Sequence, residues 1–379
     1  EYIKSRDPDI PVVIITAFGT IENAIEAMKK GAFNYLTKPI NADELLTVVK
    51  EAIEKYELRR ENISLRSELK QKYTFSNIVG KSAAMQAIFD VIRMVSKTQS
   101  NILITGESGT GKELVAHAIH YDSNRAEKPF VTIDCATIPS EIMESELFGH
   151  EKGSFTGAYE KKTGLLEHAH NGTVFLDEIG ELDLHLQKKL LRFIQEREIL
   201  RVGGAGKIKL NVRIIAATNK DLEHEIENKR FREDLFYRLN VLPIKMPPLR
   251  DRKDDIPLLS NHFLDKLDRI EGKFIKGFED NVMDIFLKYD WPGNVRELEN
   301  VIERAYVLCP NVKINLKYLP TRLLDLAQEN KETFDEMNLL ETEKKLIIKA
   351  LNRTSWNQSK ASDILGISRK QLRTKMKNF

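Results

Sequence analysis

Ile102-Leu-Ile-Thr-Gly-Glu-Ser-Gly-Thr-Gly-Lys112 decides the fold of this 379-residue chain. Ile102 to Thr105 reads as a buried strand, Leu114 to His120 has helical spacing, and a glycine-rich turn joins them. In that setting the backbone N–H groups of Gly106, Glu107, Ser108, Gly109, Thr110 and Gly111 close around phosphates at the positive end of a helix. Lys112 then reaches the β and γ oxygens. The spacing GxxxxGK also turns up in unrelated loops; the strand before it and the helix after it point to a cradle that binds ATP. Glu113 follows Lys112 where the general pattern has a Ser or Thr hydroxyl for magnesium, so metal binding is expected to lean on another acid or on water.

That acid lies downstream. Val174-Phe-Leu176 is an apolar strand ending in Asp177-Glu178, and two carboxylates beside a P-loop give one to hold Mg2+, Asp177, and one to polarise water, Glu178. A strand ending in Asp-Glu is commonplace alone, but about seventy residues after a P-loop it is the second half of an ATPase. A further strand, Val212 to Ala217, ends in Thr218-Asn219. The Asn219 amide either orients the attacking water or merely forms a turn.

The length exceeds one ordinary core, and roughly 100 to 200 residues per domain predicts two to four units. Hydrophobic residues make up 41% and charged residues 31%, the balance of a soluble globular protein. No apolar run approaches the roughly 20 residues that span a bilayer. Glu1 to Pro11 is polar where a secretory signal needs an apolar stretch, so a cytoplasmic location without membrane contact is expected. Cys135 and Cys309 lack CxxC or Cys/His spacing, which argues against a disulfide framework and a zinc site. The net charge of +2 hides a basic tail: from residue 341 to 379, ten Lys or Arg residues face only Glu341, Glu343 and Asp363.

At the other end, Pro11-Val-Val-Ile-Ile15 reads as a buried strand followed at once by Thr16. Ile21 to Lys30 is helical and capped by Gly31; Ala32 to Leu36 is a second strand ended by Lys38-Pro39, and Asn41 to Lys70 is helical. The order argues for a parallel sheet too small to be a domain, so the chain is expected to begin inside one. Thr16, Tyr35 and Lys38-Pro39 resemble the carboxyl half of a response-regulator receiver, here residues 1–56. The resemblance implies that Thr16 and Lys38 contact a phosphoryl group on an Asp outside this chain and that Tyr35 changes rotamer on activation. A sensor histidine kinase would act on the full-length receiver, whereas this fragment is not expected to be phosphorylated there. The plainer alternative is a strand-end Thr and a surface Lys of some other α/β unit. Over residues 57–74, Leu58, Asn62, Leu65 and Leu69 recur at steps of four and three, which suits a two-chain seam or a solvated linker helix.

Gly106 to Glu113, Glu146-Leu-Phe-Gly149, Gly153-Ser-Phe-Thr-Gly-Ala158, Phe231-Arg-Glu-Asp-Leu235, Pro248-Leu-Arg250 and Trp291-Pro-Gly-Asn-Val-Arg-Glu-Leu298 together closely resemble the AAA+ domain of the NtrC-type activators. These bacterial enhancer-binding proteins remodel RNA polymerase carrying sigma-54. The resemblance implies an α/β core over 75–243, a small helical lid over 244–316, and hexameric or heptameric rings with ATP between subunits. Arg232 and Arg238 match the two arginines with which a neighbour reaches the γ-phosphate. A guanidinium fork stabilises spread charge bidentately, and placing it on the next subunit makes hydrolysis depend on assembly. Without the resemblance, both read as helix-surface arginines paired with Glu233 or Asp234. By the same resemblance Arg296 senses the nucleotide from its own chain, and Ile78, Val79 and Gly80 line the adenine pocket. Asp134 falls where many relatives have an Asn that restrains the catalytic Glu; an Asp would repel Glu178 unless one is protonated or a cation intervenes. In relatives a GAFTGA loop grips the sigma factor, which makes Gly153, Ser154, Phe155, Thr156, Gly157 and Ala158 contact residues, Phe155 and Thr156 foremost. Ser154 stands at the usual Ala.

In the tail, Glu341 to Asn352, Ser359 to Leu365 and Ser368 to Lys377 read as three helices with Gly366 in the last turn. This is helix-turn-helix geometry, whose last helix enters the major groove. Ser368, Arg369, Lys370 and Arg373 would meet bases or phosphates, and Lys375 and Lys377 mainly phosphates. Asn357 to Arg369 resembles the Fis-type domain of the same activators, placed at 335–379 after a polar connection over 317–334. Such domains usually act as dimers, which implies a roughly palindromic site on double-stranded enhancer DNA. The expected fold class is α/β: a P-loop AAA+ core with a helical lid, preceded by a partial flavodoxin-like receiver and followed by an all-α helix-turn-helix domain. The expected function is ATP-driven activation of the sigma-54 RNA polymerase holoenzyme. An AAA+ unfoldase or loader is disfavoured by the Gly153–Ala158 loop and the tail; a regulator that only senses ATP is disfavoured by the Asp177-Glu178 pair and the two arginines.

Overall fold

The computed structural model describes residues 2–17, 19–73, 78–310, 312–325, 339–354 and 356–378. It opens with helix α1 (Tyr2–Arg6), strand β1 (Val13–Thr16), helix α2 (Ile21–Lys29), strand β2 (Asn34–Thr37) and the long helix α3 (Ala42–Tyr73). The polar composition of Glu1 to Pro11 gave no sign of α1. Thr20 starts α2 by accepting from the Asn23 N–H, a side-chain cap for an otherwise orphaned donor. β1 and β2 pair in parallel with Thr16 opposite Thr37 and Ile14 opposite the half-buried Tyr35. The Lys38 N–H donates to the Thr16 carbonyl at 2.8 Å, so Thr16 and Lys38 meet at adjacent strand ends. α3 runs without a break through the expected linker. Leu58 and Leu65 are exposed on it, and the Leu69 side chain lies outside the described ones.

The next unit contains α4 (Ala83–Ser96), β3 (Ile102–Thr105), α5 (Lys112–Tyr121), β4 (Phe130–Asp134), α6 (Ser140–Phe148), α7 (Leu165–His168) and β5 (Thr173–Asp177). It continues with α8 (Leu184–Glu196), β6 (Glu198–Leu200), β7 (Lys207–Lys209), β8 (Arg213–Thr218), α9 (Leu222–Glu227), α10 (Glu233–Leu239) and β9 (Leu242–Lys245). Five strands form a parallel sheet in the order β4-β5-β8-β3-β9. Helices cover both faces of such a sheet, so its strands must be apolar on both sides. Leu103, Val174, Leu176 and Ile214 pack into one core, and their alternating neighbours Ile102, Ile104, Phe175 and Ile215 into the other. Each such side chain, fully buried, contributes about 1.5–3 kcal/mol. Arg213 is the charge within β8, and it is 1% exposed. Its guanidinium donates to the carbonyls of Val95 at 2.6 Å and Ser96 at 3.0 Å, so a buried cation closes the negative end of α4. β9 crosses the expected boundary at 243, because its pairing with β3 keeps residues through Lys245 in the sheet.

The lid holds α11 (Ile256–Glu271), β10 (Gly277–Phe278), α12 (Asp280–Lys288), α13 (Asn294–Leu308) and β11 (Lys313–Ile314). Its core centres on Phe286, Trp291, Leu298 and Tyr306, with the Trp291 indole N–H donating to the Phe286 carbonyl at 2.7 Å. Leu319 and Leu323 are buried in the same core, so the lid continues past 316 into the stretch expected to be a polar connection. Residues 326–338, which take in the rest of that stretch and the first residues of the next expected domain, lie outside the described ones. The last unit is α14 (Leu339–Arg353), α15 (Gln358–Leu365) and α16 (Arg369–Asn378), closed around Ile347, Leu351, Ala361 and Leu372. Gly366 makes its turn in left-handed backbone, φ 63. Among the described residues no helix is long and apolar enough to cross a membrane.

Candidate active site

β3, β5 and β8 end side by side, with Thr105 opposite Thr218 and Leu176 opposite Ala216. Residues 106–112, the Asp177-Glu178 pair and Asn219 therefore converge at the carboxyl edge of the sheet, where ligands of parallel α/β folds bind. Two glycines of the turn are compulsory. A Cβ on Gly106, at φ 152, would stand 2.9 Å from Met246, and one on Gly109, at φ 76, would stand 2.4 Å from the Gly293 carbonyl oxygen.

Lys112 is buried, donates to the Gly106 carbonyl at 3.0 Å, and has its Nζ 3.4 Å from the Glu178 carboxylate. Glu178 itself stands in left-handed backbone, φ 49 and ψ 49, a conformation that costs a non-glycine residue about 1–2 kcal/mol. Its other carboxylate oxygen accepts from the Asn219 N–H at 2.9 Å, so Asn219 meets Glu178 through its main chain while its side chain is exposed. Asp177 accepts from the Glu178 N–H at 3.0 Å, and burial, then the neighbouring Glu178 charge, push its pKa up. Asp134 pairs across the strands with Asp177 but accepts from the Ala136 N–H of its own turn at 2.9 Å. Glu178 is thus held by a cation and an amide, not by Asp134. Glu113 points along α5 toward His117, 3.7 Å away.

Beside the cradle lies a cleft of about 650 Å³, lined by Ile78, Val79, Thr110, Gly111, Leu114 and Val295 among others. Of the three residues expected at the adenine, Ile78 and Val79 line this cleft; Gly80 is not among its lining residues and lies beside Met85, which is. Arg232 begins α10 and forms a bidentate pair with Asp234 at 3.0 and 2.7 Å, while Arg238 is exposed on the same helix. Among the described residues no hydrogen bond or ion pair joins either arginine to residues 106–113 of its own chain. The Arg296 side chain is exposed, and its N–H lies 3.4 Å from the Gly109 carbonyl.

Four polar residues that sequence reasoning did not single out tie the lid to the core. Arg250 donates twice to the Glu107 carboxylate, at 2.9 and 2.5 Å, and Arg252 donates to the Thr110 carbonyl at 2.9 Å. Asn294 donates to the Glu107 carboxylate at 3.1 Å and to the Ser108 carbonyl at 3.0 Å. Asp255 accepts from the Lys81 and Ser82 N–H groups at 2.6 and 2.8 Å. Two of them stood inside quoted motifs, Pro248-Leu-Arg250 and Trp291 to Leu298; the motif was legible, the partner was not.

The loop Gly153–Ala158 is closed by the Gly153 N–H on the Ala158 carbonyl at 2.8 Å. Phe155 is 47% exposed at its crest, edge-on to His150 with ring centres 5.0 Å apart. Ser154 packs against Gly203 of the β6–β7 turn, where an added Cβ would stand 2.6 Å from its own, and the Ser154 hydroxyl is buried without a hydrogen-bond partner among the described residues. A buried hydroxyl left unbonded is destabilising, so Ser154→Ala is expected to hold or raise thermal stability, by about 1 kcal/mol. A clear fall in the unfolding midpoint would show that the hydroxyl is bonded.

In α16, Ser368 and Gln371 cap each other: the Ser368 Oγ accepts from the Gln371 N–H at 3.2 Å, and the Ser368 N–H donates to the Gln371 side chain at 2.9 Å. Arg369 and Lys370 are exposed, Arg373 donates to Gln358 at 3.0 Å, and Lys375 pairs with Glu343 of α14, an ion pair within the domain. The Lys377 side chain lies outside the described ones.

A P-loop on one strand, an Asp-Glu pair ending its near neighbour and a helical lid seated on the cradle define an AAA+ ATPase. Comparison with known proteins narrows the class. The sequence matches the sigma-54 interaction domain over residues 78–245, the AAA+ ATPase lid domain over 250–336, the bacterial regulatory protein Fis family over 339–379 and the response regulator receiver domain over 1–50. It is 46% identical over 374 residues to the transcriptional regulatory protein ZraR of Escherichia coli K12, covering 99% of this chain and 84% of the relative. It is 43% identical over 385 residues to the regulatory protein AtoC of the same organism, covering 100% and 84%. Among solved structures, NtrX from Brucella abortus in complex with ATP superposes with a TM-score of 0.64 at 38% identity, covering 100% of this chain and 85% of that one. The chain belongs to the family of sigma-54-dependent response regulators. It is an ATP-hydrolysing transcriptional activator of a two-component system, and it binds DNA through its Fis-type domain.

Proposed function

We propose that the ATP site is completed between subunits of a ring. The observation that carries this reading is the division of charge: Lys112 and Glu178 face each other at 3.4 Å in the cradle, while Arg232 and Arg238 lie on α10 and, among the described residues, make no hydrogen bond or ion pair with residues 106–113. Arg232 and Arg238 of one subunit would enter the cradle of the next and meet the transferring phosphoryl group, which a bidentate guanidinium stabilises as its charge spreads. Glu178 would take the proton of the attacking water. Its left-handed backbone and its bond to the Asn219 N–H fix where that carboxylate points.

Asp177 fits a magnesium ligand, because a half-buried carboxylate whose pKa is raised beside a second acid gains from a bound cation. Asp177 would hold Mg2+, whose charge would offset that of the phosphates, and Lys112 and the amides of the P-loop would hold the phosphates themselves. Arg296, on the lid beside Gly109, would report the nucleotide to its own chain. The exposed Phe155, with Thr156, would contact the sigma factor. Arg369, Lys370 and Arg373 would enter the major groove, leaving Lys375 to its partner Glu343 or to phosphate. Thr16, Tyr35 and Lys38 would form the receiver's switch, set by a sensor histidine kinase.

Binding to purified sigma-54 in the presence of an ATP transition-state mimic tests the loop. Phe155→Ala is expected to retain ATP turnover and lose capture by at least about tenfold, the loss of one buried aromatic anchor. Capture unchanged by Phe155→Ala would remove the loop from the interface.

A further inference from the structure

Beside the Arg250 and Arg252 contacts, the lid meets the phosphate cradle through the turn Trp291-Pro-Gly-Asn294. Trp291 and Asn294 both hold left-handed backbone, φ 51 in each, and both are fully buried. Side-chain-bearing residues keep such strain only where their surroundings over-determine it. Gly293 between them leaves no room for a side chain: a Cβ there would stand 2.8 Å from that of Glu297. The whole turn is shaped to aim one amide. The Asn294 side-chain Oδ1 accepts from the Leu249 N–H at 2.8 Å, and its NH2 donates to the Glu107 carboxylate at 3.1 Å and to the Ser108 carbonyl at 3.0 Å. Behind it the Val295 N–H meets the Gly109 carbonyl at 2.9 Å, and Arg250 grips both carboxylate oxygens of Glu107, including the one that Asn294 reaches.

We infer that Asn294 and Glu107 form a latch through which the shape of the P-loop sets the position of the lid. Asn294 is a positioning residue; it acts on ATP through Glu107 and the main chain of the cradle. The inference rests on residues 106–112 being the ATP site. Nucleotide entering the cradle rearranges the carbonyls that Asn294 and α13 hold, and the lid follows because its turn has no slack.

The test uses the full chain carrying Trp356→Phe, so that Trp291 is the remaining indole. Its emission is read while ATP is added, together with the ATP dissociation constant and the split of kcat from KM. Asn294→Asp keeps the acceptor for Leu249 but sets a carboxylate against Glu107. It is expected to weaken ATP binding roughly tenfold and flatten the Trp291 response, and Glu107→Gln, which returns a donor, is expected to restore much of both. Asn294→Gly keeps the left-handed turn and removes only the amide; it carries the test if Asn294→Asp fails to fold. A Trp291 response in Asn294→Gly equal to the parent's, or effects of Asn294→Asp and Glu107→Gln that merely add, would overturn the latch. Lys112→Ala separates the two claims: if it binds ATP like the parent, the ATP site itself is misassigned, whereas loss of binding there beside normal Asn294 variants sinks the latch alone.

Discussion

Arg232→Ala is expected to lower ATP turnover per subunit about a thousandfold, the scale of an arginine supplied in trans, while leaving ATP affinity within a few-fold. In the structure this guanidinium is engaged by Asp234 at 2.7 Å, with both side chains partly exposed, and such pairs contribute only about 0–1 kcal/mol. Releasing it toward a neighbour's phosphate is therefore a small cost against the barrier lowering it brings. Turnover of the unaltered protein should rise with its own concentration. Mixing Arg232→Ala with Lys112→Ala should recover part of the activity, because some interfaces then pair an intact cradle with an intact arginine. Turnover independent of concentration, or no recovery on mixing, would mean that each chain completes its own site.

Glu178→Gln is the second large effect: a loss of about 10²–10⁴ in kcat with ATP still bound. Glutamine keeps the carbonyl that accepts from the Asn219 N–H, so the geometry at 2.9 Å survives while the proton acceptor is gone. Saturating ATP should still raise the unfolding midpoint of the variant, since ligand at a hundred times its dissociation constant adds about 2.7 kcal/mol. Turnover near that of the parent would assign the base elsewhere.

The elements of this site that the sequence disclosed are those written locally. A strand, a glycine turn and a helix within residues 102–120 specify a phosphate cradle by themselves, and an apolar run ending in Asp177-Glu178 specifies the acids. The apolar run from Ile102 to Ile104 made a buried strand legible, and the structure sends Leu103 into one core and Ile102 and Ile104 into the other. Contacts joining distant stretches were not legible. Asn294 reaches Glu107, and Arg252 reaches Thr110, through single polar bonds that impose no periodicity on either segment. The same reason hid Leu319 and Leu323, two apolar residues in a polar stretch, whose burial depends on a lid core built from α11 to α13.

Helix α3 belongs to the β1–β2 unit at its start and ends at Tyr73, whose ring stacks on His117 of α5 at 4.0 Å. Thirty-two helical residues span about 48 Å, and each residue adds about 1.5 Å and a turn of about 100°. Sensor and motor are therefore coupled in phase as well as in distance. Losing or gaining one residue in this shaft would swing the receiver around the axis of the motor, whereas a change of seven, close to two full turns, would nearly restore its heading. Length variation here is bound to come in turns of the helix, and a receiver grafted from another chain would inherit the angle of its splice.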